Sequence, residues 1–123
     1  MINRQKFDDT FQYFDKDVVI KIIDLFETGL PERFEKIEKN IREQDFDDLV
    51  LNVHSLKGVT GPFMAVEPYE LICRMEELAG QGSNEDLQEL YEKLKSSMAE
   101  LVSELTEIRK EQFLSDQALP DEE

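Results

Sequence analysis

Leu87, Leu90, Tyr91, Leu94, Met98, Leu101, Val102, Leu105 and Ile108 recur every three or four residues without a break. At about 100° per residue they fall along one side of a helix. A helix with so long an apolar side draws its stability from packing, so the rest of the chain has to cover it. Val19, Ile22, Ile23, Phe26, Leu30, Phe34, Ile37 and Ile41 form a second stripe that keeps its phase past Gly29 and Pro31. Proline removes one helical hydrogen bond and kinks or ends a helix, so the unbroken phase predicts one bent helix or two nearly collinear ones. A third stripe runs through Phe46, Leu49, Val53, Leu56, Thr60 and Phe63, and a fourth through Leu71, Ile72, Met75, Leu78 and Ala79. Phe7, Phe11 and Phe14 predict a short helix over residues 3–14, laid on the larger body by its aromatic side.

No segment alternates with period two, and no internal repeat is present. The expected fold is all-α, an antiparallel up-down four-helix bundle with a short extra N-terminal helix packed across it. The 123 residues suit one domain, expected over 1–113, with a loose acidic tail over 114–123. Punctuation fits this division. Asp15 can cap the second helix, and Asp45 with Asp48 marks the start of the third. Gly61-Pro62 ends that helix, and a turn follows through Met64 and Ala65. Pro68 suits the first position of the next helix, Gly80 and Gly82 stop it, and Ser83 with Asp86 reads as a capping box before the last.

Asp and Glu number 29 against 14 Lys and Arg, a net charge of −15 that argues against nucleic acid or an anionic membrane as a partner. The excess reads as a solvated surface. The single cysteine, Cys73, lies within an apolar helical pattern and reads as a small buried core residue in a reduced compartment, which points to the cytoplasm. No apolar run reaches the length of a membrane span, and no apolar segment follows a basic N-terminus.

Against this frame the third helix is unusual. It carries the only histidine, His54, with Lys57 and Gly58 three and four residues on, so all three share one face. That face lies off the apolar stripe, beside Val50, Leu51 and Gly61, and His54 is expected to point outward. A glycine inside a helix costs roughly 1 kcal/mol relative to alanine, so Gly58 needs a reason such as clearance for a partner. A neutral imidazole, with a reference pKa of about 6.5, is a nucleophile able to attack a phosphoryl group carried by another protein. Phosphoryl transfer otherwise needs Mg²⁺ and several donors around the phosphate. The sequence holds no Gly-rich nucleotide loop and no Walker-type lysine, so no ATP site and no kinase activity of its own are expected. One histidine and one cysteine nineteen residues apart do not make a zinc site.

His54-Ser55-Leu56-Lys57-Gly58, after an acidic-capped helix start and before the small residue Gly61, resembles the phosphoacceptor signature of histidine-containing phosphotransfer (HPt) domains. The resemblance extends through Leu25-Phe26-Glu27, Leu30-Pro31-Glu32-Arg33-Phe34 and Gln44-Asp45-Phe46 upstream, and through Glu70-Leu71-Ile72-Cys73-Arg74-Met75-Glu76 downstream. It covers most of residues 15 to 105. The chain departs from the family pattern at Met64, ten residues after the histidine, where members often carry glycine. It also has Val50 and Leu51 ahead of His54, where basic residues are common.

The resemblance implies a monomeric phosphorelay intermediate of a two-component system. Its partners would be response-regulator receiver domains and a hybrid sensor histidine kinase. A receiver would supply the aspartate and Mg²⁺, with no cofactor bound by this chain; His54 would accept the phosphoryl group and pass it to another receiver aspartate. Lys57 would neutralise part of the phosphate charge, and Gly58 and Gly61 would let the receiver sit close. Val50 and Leu51, apolar but off the core stripe, fit a docking surface. Two other readings stand beside this one. The chain could be a non-catalytic helical adaptor that binds through an acidic face, or the phosphoacceptor module of a larger sensor kinase. Met1 and the polar tail favour a free-standing protein.

Overall fold

The structure, a computed structural model, describes residues 1–114. Five α-helices occur among these residues: α1 Arg4–Phe11, α2 Lys16–Glu43, α3 Phe46–Thr60, α4 Val66–Gly80 and α5 Leu87–Ile108. A 3₁₀ turn, Gly61–Phe63, continues α3, and a π-helical segment, Arg109–Leu114, continues α5. The expected tail begins at Leu114, which closes that segment, and otherwise lies outside the described residues. Helix α3 packs on α2 and α4, and α5 packs on α4 and α2. Each of the four long helices therefore buries its stripe against two others, and one shared core results.

The α5 stripe is buried at every position except Val102, which is half-buried. Helix α2 is one continuous helix of 28 residues with Pro31 inside it. Pro31 has no N–H to offer the Glu27 carbonyl one turn back. The turn after it is tied to α5, where Tyr91 Oη lies 3.1 Å from both the Phe34 carbonyl and Glu38 Oε2. Burial, reinforced by Glu38, pushes the Tyr91 hydroxyl above its usual range, so it remains a donor.

A polar seam fixes α3 on α2. The buried Asn40 side chain donates to Asp48 Oδ2 at 2.9 Å and accepts from Asn52 Nδ2 at 2.6 Å. Asp45 caps α3 as its spacing with Asp48 predicts, accepting from the Asp48 N–H at 3.2 Å. A half-satisfied buried amide costs about 1–3 kcal/mol, so sliding or rotating α3 on α2 is disfavoured beyond the loss of apolar contact.

The short N-terminal helix is held through aromatic rings. Phe63 packs on Phe26 at 4.8 Å between centroids, on Phe11 at 6.2 Å and on Phe7 at 6.5 Å. Phe14 falls beyond the end of α1 and is largely exposed, because the chain must turn there to enter α2. Residues 1–3 lie along the α3–α4 turn, where Asn3 N–H donates to the Met64 carbonyl at 2.8 Å and Ile2 pairs with Ala65.

Several expected helix ends differ. Helix α3 does end at Thr60, ahead of Gly61-Pro62, but Gly61 keeps a helical φ of −51° and ψ of −44° and leads into the 3₁₀ turn, so the left-handed residue is Met64 with φ 58°. Pro68 occupies the third rather than the first position of α4, which starts at Val66 because the paired N-terminal segment holds that turn. Ser83 and Asp86 form no capping box. Asp86 is left-handed with φ 62° and makes no side-chain cap, while Ser83 accepts only from the Glu85 N–H at 3.3 Å. Cys73 is half-buried rather than in the core, because it sits at the edge of the α4 stripe.

Left-handed backbone costs a residue with a Cβ about 1–2 kcal/mol, which explains why glycine suits position 64. Met64→Gly should therefore be more stable than Met64→Ala by about 1 kcal/mol, since only the alanine keeps the penalty. Urea unfolding of the two variants measures the difference, and equal midpoints would show that the turn is unstrained.

Candidate functional site

The direction of each α3 side chain follows from the faces already used. Leu49, Val53, Leu56 and Thr60 point into the core, so His54, Leu51 and Gly58 face away from it. His54 is 67% exposed, as its position off the stripe predicts. Leu51 is also 67% exposed, whereas Val50 is half-buried and packs against the core. A Cβ built on Gly58 would meet nothing within 4 Å. Nothing among the described residues requires glycine there. At Gly61 a Cβ would lie 3.5 Å from the Tyr69 ring, an ordinary contact, so that position is bounded by α4 rather than open.

The polar partner of the histidine comes from α4. His54 Nδ1 lies 2.6 Å from Glu76 Oε2, and Lys57 Nζ lies 2.6 Å from Glu76 Oε1. One carboxylate thus spans both of these α3 side chains. Lys57 is anchored to one oxygen of Glu76 while the other oxygen engages the imidazole. Glu76 is held below the usual carboxylate range, first by the hydrogen bond from Lys57 and then by that from His54, with partial burial opposing both. The hydrogen bond to Glu76 holds the Lys57 ammonium above its ordinary range, again against partial burial. Both groups are charged at neutral pH.

An ionised carboxylate can only accept hydrogen bonds. The Nδ1 of His54 must then carry the proton that bridges to Glu76, and in the neutral ring the lone pair is left on Nε2. The pair fixes the ring's tautomer and limits its rotation while most of the ring remains in water. Such an arrangement presents an oriented nitrogen nucleophile on an open surface. On the other side of α3, Ser55 Oγ is engaged by Arg33 Nη1 of α2 at 2.6 Å.

Glu76 is the residue that pattern reading assigned no role. A signal was present. It stands four residues after Ile72 and three before Ala79, both buried, so a carboxylate occupies a stripe position where an apolar side chain would fit. Only the packing of α4 on α3 shows what it serves.

Because the folded-state value of Glu76 is depressed, its contribution to stability is present above its ordinary value of 4.5 and is lost as pH falls through the lower folded value. Glu76→Gln should be less stable than wild type at neutral pH by no more than about 1 kcal/mol, the range of partly exposed ion pairs. The gap should close in acid. Thermal melts of both proteins from neutral pH to below 4.5 test this, and a constant gap would show that the ion pair is not its source.

Comparison with known proteins agrees with this geometry. A family model described as Hpt domain matches residues 21–110, from early in α2 through α5 and into the segment after it. No curated protein and no solved structure gave a match. Among the described residues, no helix is long and apolar enough to cross a membrane. With most of its length matched, all of α3, α4 and α5 included, the chain belongs to the Hpt domain family, whose members carry phosphoryl groups between receiver domains and kinases in two-component signalling.

Proposed function

We propose that this chain is a phosphorelay intermediate in which His54 takes a phosphoryl group from a receiver-domain aspartate and gives it to another. The observation that carries the reading is the hydrogen bond between His54 Nδ1 and Glu76, which frees Nε2 on a ring that is 67% exposed. In the forward step the Nε2 lone pair attacks phosphorus and a P–N bond forms. The P–O bond to the donor aspartate breaks, and its electron pair leaves with the carboxylate. Both ring nitrogens are then substituted, so positive charge develops on the imidazole. The Glu76 carboxylate, 2.6 Å from Nδ1, offsets that charge without taking the proton. In the second step an oxygen of the acceptor aspartate attacks phosphorus, the P–N bond breaks, and the pair returns to Nε2.

Lys57 has two roles in this reading. It holds Glu76 in place through its 2.6 Å contact, and its ammonium adds positive charge beside the incoming phosphoryl group. Mg²⁺ belongs to the receiver's own site, where it neutralises phosphate charge during transfer. Open space at Gly58 and the exposed Leu51 support docking of a receiver over the His54 face. Gly61 and Val50 border that face and contribute less open surface.

We also read the four long helices as an antiparallel up-down bundle. Helices α2 and α3 pack together although only Gln44 and Asp45 join them, and so short a connection reverses the chain. The fold then puts His54 midway along α3, far from either chain reversal.

Phosphoryl transfer from a panel of phosphorylated receiver domains tests the function. Wild type should take up label as an acid-labile, base-stable phosphohistidine, and His54→Gln should take up none while its melting changes by no more than about 0.5 kcal/mol, as surface substitutions do. Chelation of Mg²⁺ should suppress transfer to wild type. Labelling of the folded His54→Gln protein would sink the assignment, and unchanged partner binding with no labelling of wild type would favour an adaptor.

A further inference from the structure

Half-buried cations in an acidic chain usually find a carboxylate, and three of those in the described residues do. Lys57 holds Glu76, Lys95 holds Glu92 at 2.9 Å and Arg109 holds Asp24 at 2.8 Å. Arg33, also half-buried, holds none. Its Nη1 donates to the hydroxyl of Ser55, the residue after His54, and no carboxylate lies within ion-pair distance among the described residues. The cause is in the sequence. The positions one turn away on α2 are Gly29, Leu30, Lys36 and Ile37, so the helix offers no acid at the spacing that forms pairs. A net charge of −15 makes this exception notable.

The surroundings of Arg33 are shaped as well as charged. The α2–α3 seam opens into two cavities that share Gly29 and Arg33 as lining residues. One, of about 310 Å³, is bordered by Ile22, Leu25, Val59 and Pro62. The other, of about 230 Å³, is polar, reaches Asn52 and Ser55, and is also lined by Glu32 and Lys36, which pair with each other at 3.8 Å. Arg33 stands where the apolar half meets the polar half. Leu25 remains 62% exposed at the rim. Of the five donors on a guanidinium, Ser55 uses one, and the planar fork left over matches the two oxygens of a carboxylate.

We propose that Arg33 is a partner-reading residue that binds a carboxylate side chain of the docked receiver domain, while the apolar half of the trough receives an adjacent apolar side chain of the same partner. This rests on the reading of His54 as phosphoacceptor. Ser55 holds the guanidinium at the α2–α3 seam, on the residue that follows His54, and so lowers the ordering cost of binding. Arg33 makes no contact with the reacting atoms and selects the partner through charge. An acidic protein must attract a partner whose own phosphorylation site is acidic, and the Arg33 charge at the α2–α3 seam, added to that of Lys57 on α3, favours a carboxylate on this face.

Initial transfer rates from one phosphorylated receiver, titrated at low and high salt, test the proposal in wild type, Arg33→Ala, Arg33→Lys and Ser55→Ala. Arg33→Ala should raise the half-saturating receiver concentration about tenfold, leave the saturated rate unchanged and flatten the salt dependence. Arg33→Lys should recover only part of the loss, because an ammonium lacks the fork. Ser55→Ala should shift the titration far less. Equal shifts for Arg33→Ala and Ser55→Ala would mean that the hydrogen bond merely shapes the seam, and the proposal falls. It falls also if Arg33→Ala titrates like wild type or loses rate at saturation, with the phosphoacceptor reading intact in either case. If wild type accepts no phosphoryl group from any receiver, the phosphoacceptor reading fails and takes this proposal with it.

Discussion

The Glu76 carboxylate is the point on which the site depends. Its two oxygens each hold a cationic or proton-bearing group of α3 at 2.6 Å, and no other described contact ties the His54 ring to the rest of the protein. An imidazole on a solvent-facing helix would otherwise exchange tautomers and rotamers freely. A carboxylate from the neighbouring helix settles both, and in the proposed relay it would also offset the charge that the ring gains on phosphorylation. The arrangement costs little stability because most of the ring remains hydrated, and it leaves the outward nitrogen unobstructed. Lys57 keeps Glu76 ionised and pointed toward α3, so the lysine acts on the ring through the carboxylate, and in the proposed relay it would also act on the phosphate by charge.

For Glu76 to reach His54, α3 and α4 must hold their relative rotation, and the fold constrains both. Asn40, Asp48 and Asn52 fix α3 against α2 by hydrogen bonds that a rotated helix would leave unmade. On the other side the α3–α4 turn is tied down by residues 1–3 and by Phe63 within its aromatic cluster. The strained Met64 lies in that same turn. Turn geometry there determines where α4 begins and therefore which α4 residue comes opposite His54.

Much of the fold was legible because apolar periodicity is a direct record of burial. The α5 stripe is buried almost throughout, and α2 continues unbroken past Pro31, one of the two outcomes that its phase allowed. Helix ends were less legible. Pro68 and the Ser83–Asp86 pair follow local preference, yet the N-terminal pairing with Ala65 and the left-handed Asp86 override it, and such tertiary effects leave no local pattern. The outward direction of His54 could be read from α3 alone. The identity of its partner could not, since Glu76 lies on another helix and becomes relevant only through packing. The setting of Arg33 is illegible in the sequence for a related reason, because its contact with Ser55 bridges residues 22 positions apart.

The central claim is that Glu76 sets the His54 tautomer and thereby the nitrogen that reacts. Long-range ¹⁵N–¹H correlation spectra of the imidazole, recorded where the ring is neutral and again after phosphorylation, test it most directly. The account predicts a proton on Nδ1, a free Nε2 and the phosphoryl group on Nε2, with the tautomer preference relaxed in Glu76→Gln. A ring protonated on Nε2 in the wild-type protein, or a phosphoryl group on Nδ1, would contradict it.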